Sequence, residues 1–437
     1  MVGLRTALLR RYYVMNKSGD NRVLLLSGTA PGSSGVGQLF LRDLISTLSA
    51  DEIVFAIVSR KNNEADRAAF RDVPRIDLVE RKFNHKKPAW MPQAISLIRR
   101  HLEFRSRCRS DRDNVAKICE FAQARGVNKV WAVLDSPTMY RLAPMVAQRL
   151  GKPLVSTVWD PPEGVGLQCG LDRFSRKTAR RHFDNAMQMS ECCSVISERM
   201  GRDYHQLYQI RTVVLRHGIA KQHTASQGPT DDSEFRLGFC GSLYATREWK
   251  ALLDGLDRLK WRVANRPIRV IVAGGHVPFL SATSPANLEF LGWRDMHEVV
   301  HRMSECNACY FPYWFDPGFA ESVRYCFATK MTTYLTAGTP VLYHGPEDAA
   351  VVDFFREYPV AETCHSTDAS DVAAAIERLA DSDSQKQMRS AIKRAIDQEL
   401  NLDVFHSRFG EMLGPEFITN QERIPGAPPA CSPIESA

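Results

Sequence analysis

The sequence predicts an α/β protein built from two doubly wound, Rossmann-like domains in tandem. Three observations carry the expectation. The chain has 437 residues, more than one hydrophobic core usually supports. From about Arg22 onward short apolar runs alternate with helical patterns, as parallel strands covered by helices do. Between His217 and Phe235 the alternation stops, Gly, Ser, Thr, Gln and Asp take over, and then the pattern begins anew.

A polar lead-in, Asn16 to Asn21, precedes an expected buried strand at Arg22 to Ser27. The loop Gly28 to Gly37 follows, and a helix runs from about Val36 to Leu48 because Leu39, Phe40, Leu44, Ile45 and Leu48 recur at helical spacing. Ile53 to Val58 completes a βαβ opening. Further strands are expected near Ile76 to Val79, Val130 to Leu134, Leu154 to Val158, Ser194 to Ile196 and Val213 to Leu215, with a helix at Thr138 to Leu150. The second unit should run strand Arg236 to Cys240, helix Trp249 to Leu259, strands Ile268 to Val272 and Leu288 to Leu291, and helix Met296 to Met303. Strand Ala308 to Phe311, a helix near Thr329 to Leu335 and strand Pro340 to Tyr343 continue it. Helices at Ala349 to Glu357, Ser370 to Leu379, Ser384 to Glu399 and Asp403 to Leu413 come last. The division is thus a tail (1–20), a first domain (21–216), a linker (217–235), a second domain (236–402), a C-terminal helix (403–420) and a Pro-rich tail (421–437) too poor in apolar surface to fold.

With 44% hydrophobic and 24% charged residues, the composition is that of a soluble globular protein. No stretch approaches the roughly 20 apolar residues of a membrane span, and Met1 to Met15 lacks the apolar core and cleavage site of a secretion signal. The expected compartment is the cytoplasm. The 11 cysteines, odd in number and without framework spacing, read as reduced, buried thiols; Cys306 and Cys309 form a CxxC without the second pair that a zinc ribbon needs. The net charge of +7 is unevenly placed. Arg81, Lys82, Lys86, Lys87, Arg99, Arg100, Arg105, Arg107, Arg109 and Arg112 are opposed only by Glu103 and Asp111, which favours an anionic partner. Trp90, Met91, Ile95, Leu97, Ile98, Leu102 and Phe104 lie among them. The segment reads either as a basic amphipathic helix on an anionic membrane surface or as a solvated face over its own core stripe. No nucleic-acid fold signature accompanies the charge, so nucleic acid is not an expected partner.

In an open parallel sheet, ligands bind beyond the carboxyl ends of the strands, so the loops there are the places to search. Gly32 to Gly37 ends the first strand and opens a helix, whose free N–H groups meet phosphate or a sugar hydroxyl if Gly35 and Gly37 admit it. The alternative is an unliganded glycine turn; neither a dinucleotide fingerprint nor GxxxxGK[ST] is present. Gly241 to Lys250 follows the first strand of the second unit, and Arg247 there is either a fork for a diphosphate or an exposed helix-start residue. In Phe290-Leu-Gly-Trp293 the indole is either a base platform or a core plug. Phe327 to Pro346 carries Thr329 as a helix N-cap, Lys330 and Thr333 on the helix, and Gly338 at its stop. His297-Glu298-Val-Val-His301 is a literal HExxH, but no third zinc ligand or extended motif accompanies it.

The run Thr329-Lys330-Met-Thr-Thr333-Tyr334-Leu-Thr-Ala-Gly338-Thr-Pro340-Val-Leu, followed by His344-Gly-Pro346, resembles the donor site of retaining, family-four-like GT-B glycosyltransferases. The resemblance extends from about Arg22 to Leu413. Gly32 to Gly37 is similar to the family's first glycine loop, Ser194 to Met200 and Val214 to Ile219 to the stretches closing its first domain, and Gly241 to Arg247 to its diphosphate stretch. Departures stand beside the matches. The family's glutamate pair falls at Tyr325 and Thr333, Ser242 replaces its arginine, and Arg247 replaces its lysine. The resemblance implies a GT-B fold with an inter-domain cleft, and retaining transfer from a nucleotide-sugar donor to a glycan or lipid-linked acceptor, with no cofactor and no metal. Arg247, Lys330 and the helix start at Thr329 would neutralise the leaving diphosphate, Thr333 would meet the ribose and Trp293 the base. The first domain supplies the acceptor side, where Asp135 and Asp160 are the candidate catalytic residues; Asp160 either orients an acceptor hydroxyl or caps a turn. The missing glutamates keep open a non-catalytic sugar-nucleotide-binding protein on the same fold, and HExxH a zinc hydrolase.

Overall fold

The computed structural model describes residues 21–32, 35–59, 70–80, 93–220, 233–274 and 286–417. Seven parallel strands form the first sheet: β1 (Val23–Ser27), β2 (Ile53–Ser59), β3 (Arg75–Val79), β4 (Lys129–Val133), β5 (Leu154–Thr157), β6 (Ser190–Val195) and β7 (Arg211–Val214). Their spatial order is β3-β2-β1-β4-β5-β6-β7. The second sheet holds β8 (Phe235–Cys240), β10 (Arg266–Ala273), β11 (Leu288–Gly292), β12 (Ala308–Pro312), β13 (Val341–His344) and β14 (Ala361–Cys364) in the order β11-β10-β8-β12-β13-β14, with β9 (Arg262–Val263) antiparallel on β10. Central strands such as β1 and β4 are buried at every position, which is why they read as unbroken apolar runs rather than alternating ones. In each sheet the chain reverses its winding once, between β1 and β4 and between β8 and β12, so two switch-point crevices open at the carboxyl edges.

One face of the first sheet is covered by helices Gln93–Gln123, Pro137–Leu150, Arg173–Gln188 and Glu198–Tyr208. The other carries Val36–Ile45 together with the last helix, Leu402–Leu413, whose Phe405, Phe409 and Met412 join the core around β1 and β4. Trp131 of β4 and Phe409 are 4.8 Å apart between ring centroids. The C-terminal helix therefore completes the first domain. The crossing and the return occur side by side: Ile219 donates its N–H to Leu400 O at 2.6 Å and pairs in parallel with Asn401.

Several boundaries differ from the sequence reading. The first helix stops at Ile45, where Ser46 to Leu48 turn back on its last carbonyls. The helix expected at Ser384 to Glu399 is Ser382–Ala395, followed by a wide turn at Ile396–Leu400. For the helices Pro162–Gln168, Arg173–Gln188 and Glu198–Tyr208 the sequence reading gives no bounds, only the general alternation of strands with helical patterns. Arg173–Gln188 buries mainly Ser175, Ala179 and Ala186 beside Phe183 and Met187, so small residues hide its apolar period. Arg81, Lys82, Lys86, Lys87, Trp90 and Met91 of the basic segment lie outside the described residues, as do the side chains of Leu97, Arg100, Arg107 and Arg109. Cys306 and Cys309 are free and buried against Gly238. Among the described residues, no helix is long and apolar enough to cross a membrane.

Candidate functional site

Three loops meet at the carboxyl edge of the first sheet. Asp135 follows β4 and presses its carboxylate on Gly28 after β1, where an added Cβ would lie 2.8 Å from Oδ1. Thr29 donates its hydroxyl to Asp135 Oδ2 at 2.8 Å, while Oδ1 has no hydrogen-bond partner among the described residues. Burial pushes the Asp135 carboxyl up to about 6, against the opposing pull of the Thr29 bond. An acid poised there, with a free lone pair, suits the acceptance of a hydroxyl proton near neutral pH. After β5, Trp159 packs on the start of helix Val36–Ile45, so closely that a Cβ on Gly37 would lie 2.9 Å from its ring. Gly35 precedes that helix in extended backbone and contributes no side-chain cap. Asp160, next to Trp159, accepts from the Cys326 thiol of the second domain at 3.4 Å, and burial raises its pKa. It sits in the seam between domains rather than on a solvated turn.

On the facing edge, Lys330 turns back over the end of β8. Its ammonium lies 4.1 Å from the Tyr244 ring centroid and 4.4 Å from that of Phe239, and donates to Ser242 O at 2.6 Å. Desolvation there pulls its pKa down to about 8. Tyr244 leans on Trp314 (4.5 Å), which stacks nearly parallel on Phe319 at 4.6 Å and 11°, so the loops after β8 and β12 form one aromatic floor. Trp314 Nε1–H donates to Tyr244 O at 3.2 Å, and the Phe315 N–H donates to buried Glu248 at 2.8 Å, tying the two loops together.

The remaining sequence candidates are more dispersed. Arg247 is exposed in the first turn of helix Thr246–Arg258 and reaches Thr367 Oγ1 at 3.4 Å. Trp293 is 74% exposed, so it is not a core plug. Thr329 occupies the N-cap position of helix Lys330–Thr336 in helical backbone, but its side chain makes no cap bond, which corrects that expectation. The Thr333 hydroxyl back-bonds to Thr329 O at 3.5 Å. Gly338, at φ 67°, ends the helix as read from the sequence. Tyr325, at one of the glutamate positions, points across the seam and donates to Asp203 Oδ2 at 2.8 Å. His344 is buried, accepts from the Tyr310 hydroxyl (2.8 Å) and donates to Ser366 O (2.7 Å), and burial takes its pKa down to about 4. It is a neutral strut. In HExxH, Glu298 pairs with Arg294 at 2.9 Å and His301, 64% exposed, faces Glu305 at 3.7 Å; among the described residues no His, Cys, Asp or Glu trio is gathered as a metal site.

No family model matches the chain, and no curated protein matches it by sequence. Solved structures do. HepE of Anabaena in complex with UDP superposes at a TM-score of 0.61 with 13% identity, over 90% of this chain and 99% of that one. Sucrose-phosphate synthase of Thermosynechococcus elongatus matches at 0.61 with 14% identity, over 90% and 98%. The UDP-forming α,α-trehalose-phosphate synthase of Burkholderia xenovorans, in complex with glucose-6-phosphate, matches at 0.60 with 10% identity, over 90% and 99%. The chain has the GT-B fold. The cleft of a GT-B fold lies between its two carboxyl edges, and here those edges carry Asp135 and Asp160 on one side and Lys330 with its aromatic floor on the other. Sequence reading missed Thr29, Trp159, Tyr244, Trp314 and Cys326. Thr29, Trp159 and Tyr244 stand in stretches that the sequence singles out, the loop Gly28 to Gly37, the position before Asp160 and the loop Gly241 to Lys250, whereas Trp314 and Cys326 left no trace.

Proposed function

We propose that this chain is a glycosyltransferase that takes a sugar from a nucleotide-sugar donor seated in the second domain's half of the cleft. The observation that supports it most is Lys330, a partly desolvated cation held by two rings and one carbonyl at the switch point between β8 and β12. A diphosphate arriving there gains a full charge in a low-dielectric setting, and leaving-group neutralisation is the main thing that such a transfer asks of the protein. Exposed Arg247 and Trp293, with half-buried Thr329 and Thr333, are the further donor contacts of this reading. Asp135 supplies the acceptor side with an oxygen able to take or share a hydroxyl proton, and Asp160 keeps the seam in register. Retention of configuration, a hexosyl donor, metal independence and a glycan or lipid-linked acceptor beside a membrane are the finer parts of the reading.

The test is a thermal-shift panel of nucleotide sugars and nucleoside diphosphates, starting with UDP, which HepE and the trehalose-phosphate synthase name. A specific ligand raises the midpoint in proportion to its occupancy. Lys330→Met should lower calorimetric affinity for the selected diphosphate by about 1–3 kcal/mol, the worth of one charge-assisted hydrogen bond. A flat panel, or unchanged affinity in Lys330→Met, removes the reading. Binding without release of diphosphate in a donor-hydrolysis assay would instead favour a sugar-nucleotide-binding protein, the reading that the neutral residues Tyr325 and Thr333 support.

A further inference from the structure

Helix Gln93–Gln123 has 31 residues, about 46 Å at 1.5 Å per residue, whereas a five-residue strand such as β4 spans about 17 Å. It leads from β3 to β4, parallel strands of one sheet with β2 and β1 between them, so it runs from the carboxyl edge to the amino edge. Among its described side chains the buried ones start at Phe104 and continue through Val115, Ile118 and Ala122, and buried Asp111 is clamped to Arg141 at 2.5 Å. The turns before Phe104 therefore overhang the carboxyl edge, the side on which the cleft opens. His101 meets Ser175 at 3.3 Å there, on the first turn of the helix that follows Pro162–Gln168. That short helix packs against Ser322 of the second domain, which puts the overhang beside the mouth of the cleft.

On the overhang Ile95, Ile98 and Leu102 are 53%, 61% and 59% exposed. At about 100° per residue the three fall within about 60° of one another, on the far side of the helix from Phe104 and Val115. Exposed Arg99 and Arg105 flank them. From Gln93 to Ser110 the helix carries Arg99, Arg100, Arg105, Arg107 and Arg109 against a single acid, Glu103. An apolar stripe rimmed by cations, without core to cover, is the pattern of a helix lying in a membrane interface.

We infer that this overhang is a membrane-docking element. Ile95, Ile98 and Leu102 enter the acyl boundary of an anionic bilayer, and Arg99 and Arg105 remain among the headgroups. Charge decides the occupant. A second copy docking through the same face would set arginine against arginine, whereas anionic lipid answers every one of them. The location suits a lipid-linked acceptor, but the docking stands apart from the transferase reading, since it needs no donor.

Co-sedimentation of the full chain with vesicles tests it, using phosphatidylcholine alone and with about a third phosphatidylglycerol, at about 0.1 M and 1 M salt. The wild type should bind the anionic vesicles at low salt, lose them at high salt and ignore the zwitterionic ones. Arg99→Gln with Arg105→Gln should lower the partition coefficient about 25-fold, at about 5-fold per cation. Ile95→Ser with Ile98→Ser and Leu102→Ser should lower it at least 10-fold. All these positions are exposed, and thermal midpoints matching the wild type certify the fold of the variants; brominated-lipid quenching of a Leu102→Trp variant gives a readout that keeps the apolar stripe. Three results overturn the inference: no binding by the wild type, binding indifferent to lipid charge, or a wild-type dimer in light scattering that the triple variant abolishes. Affinity for nucleoside diphosphate, measured on the same samples without lipid, reports separately on the transferase reading.

Discussion

Lys330 and Asp135 show how burial prepares a charge for work. Desolvation lowers the Lys330 ammonium to about 8, and an arriving diphosphate would raise it again, so binding is coupled to proton uptake. Affinity for the nucleoside diphosphate should accordingly be full below pH 8 and fall as the pH climbs from 8 to 9.5. In Lys330→Met the calorimetric affinity should be flat over that range; a wild-type profile equally flat would take Lys330 out of the site. For Asp135 the sign is opposite. Its native pKa of about 6 stands above the ordinary 3.8, so the native state is penalised once the unfolded chain ionises. The stability present below pH 3.8 is lost as the pH rises to 6, by about 3 kcal/mol for a shift of roughly two units in a fully buried group. Asp135→Asn carries no such loss, and its denaturation midpoint should exceed that of the wild type at pH 8 but not at pH 4. A difference that stays constant with pH would show that Asp135 titrates normally. Neither residue's state was legible in the sequence: Asp135 was singled out as an acid after a strand, but its partners Gly28 and Thr29 lie over a hundred positions away and only the sheet order brings them together.

At the scale of elements, legibility followed apolar patterning. β1, β2, β4, β8, β10 and β12 were all foreseen because strands buried on both faces are unbroken apolar runs. Helices that rest on small residues were not, as Arg173–Gln188 shows, and neither was the length of Gln93–Gln123, whose described buried side chains start at Phe104. The donor-side helix Lys330–Thr336 was placed within a residue, while its expected side-chain cap was absent. One element-level contact governs how the domains join. Gly218 lies where the chain leaves the first domain, and a Cβ there would meet Leu402 Cδ2 and Phe405 Cβ at 2.9 Å and the Leu402 Cα at 3.0 Å. The backbone of the returning helix cannot yield as a side chain can. Gly218→Ala should therefore lower stability by about 1–3 kcal/mol, as overpacking does, with a matching fall in the thermal midpoint. An unchanged midpoint would mean that the crossing tolerates a shift of several tenths of an ångström, and that the two strands of the joint are not tightly seated.

For the molecule as a whole, the question is what ties the two domains together across the seam. Beyond the crossing at Ile219 and Asn401, the domains meet through rings, Tyr204 against Tyr325 and Arg216 over Phe327, and through polar side chains: Glu321 accepts from Arg180 at 2.8 Å and from the Glu163 N–H at 3.1 Å, and Asp203 accepts from Arg324 and Tyr325, each at 2.8 Å. Ser197 adds a bond to Tyr325 O at 2.7 Å, and Arg199 pairs with Asp353 at 2.8 Å. Interfaces of this polar kind permit relative domain motion, unlike large apolar ones. Most of these groups are partly exposed, so each ion pair contributes only about 0.5–1 kcal/mol and is screened by salt. Glu321→Ala removes two bonds from one side chain and should shift the equilibrium toward the open form by roughly 2- to 5-fold, the equivalent of one such pair. Small-angle scattering should show a larger radius of gyration for the variant without ligand, and wild type in 1 M salt should move the same way. Turnover should fall, because Asp160 and Cys326 separate when the seam opens, while affinity for the nucleoside diphosphate, whose proposed contacts lie on the second domain, should hold. If scattering from wild type and variant coincides at both salt concentrations, the polar clasp does not govern closure, and the crossing with the helix Leu402–Leu413 must set the inter-domain angle instead.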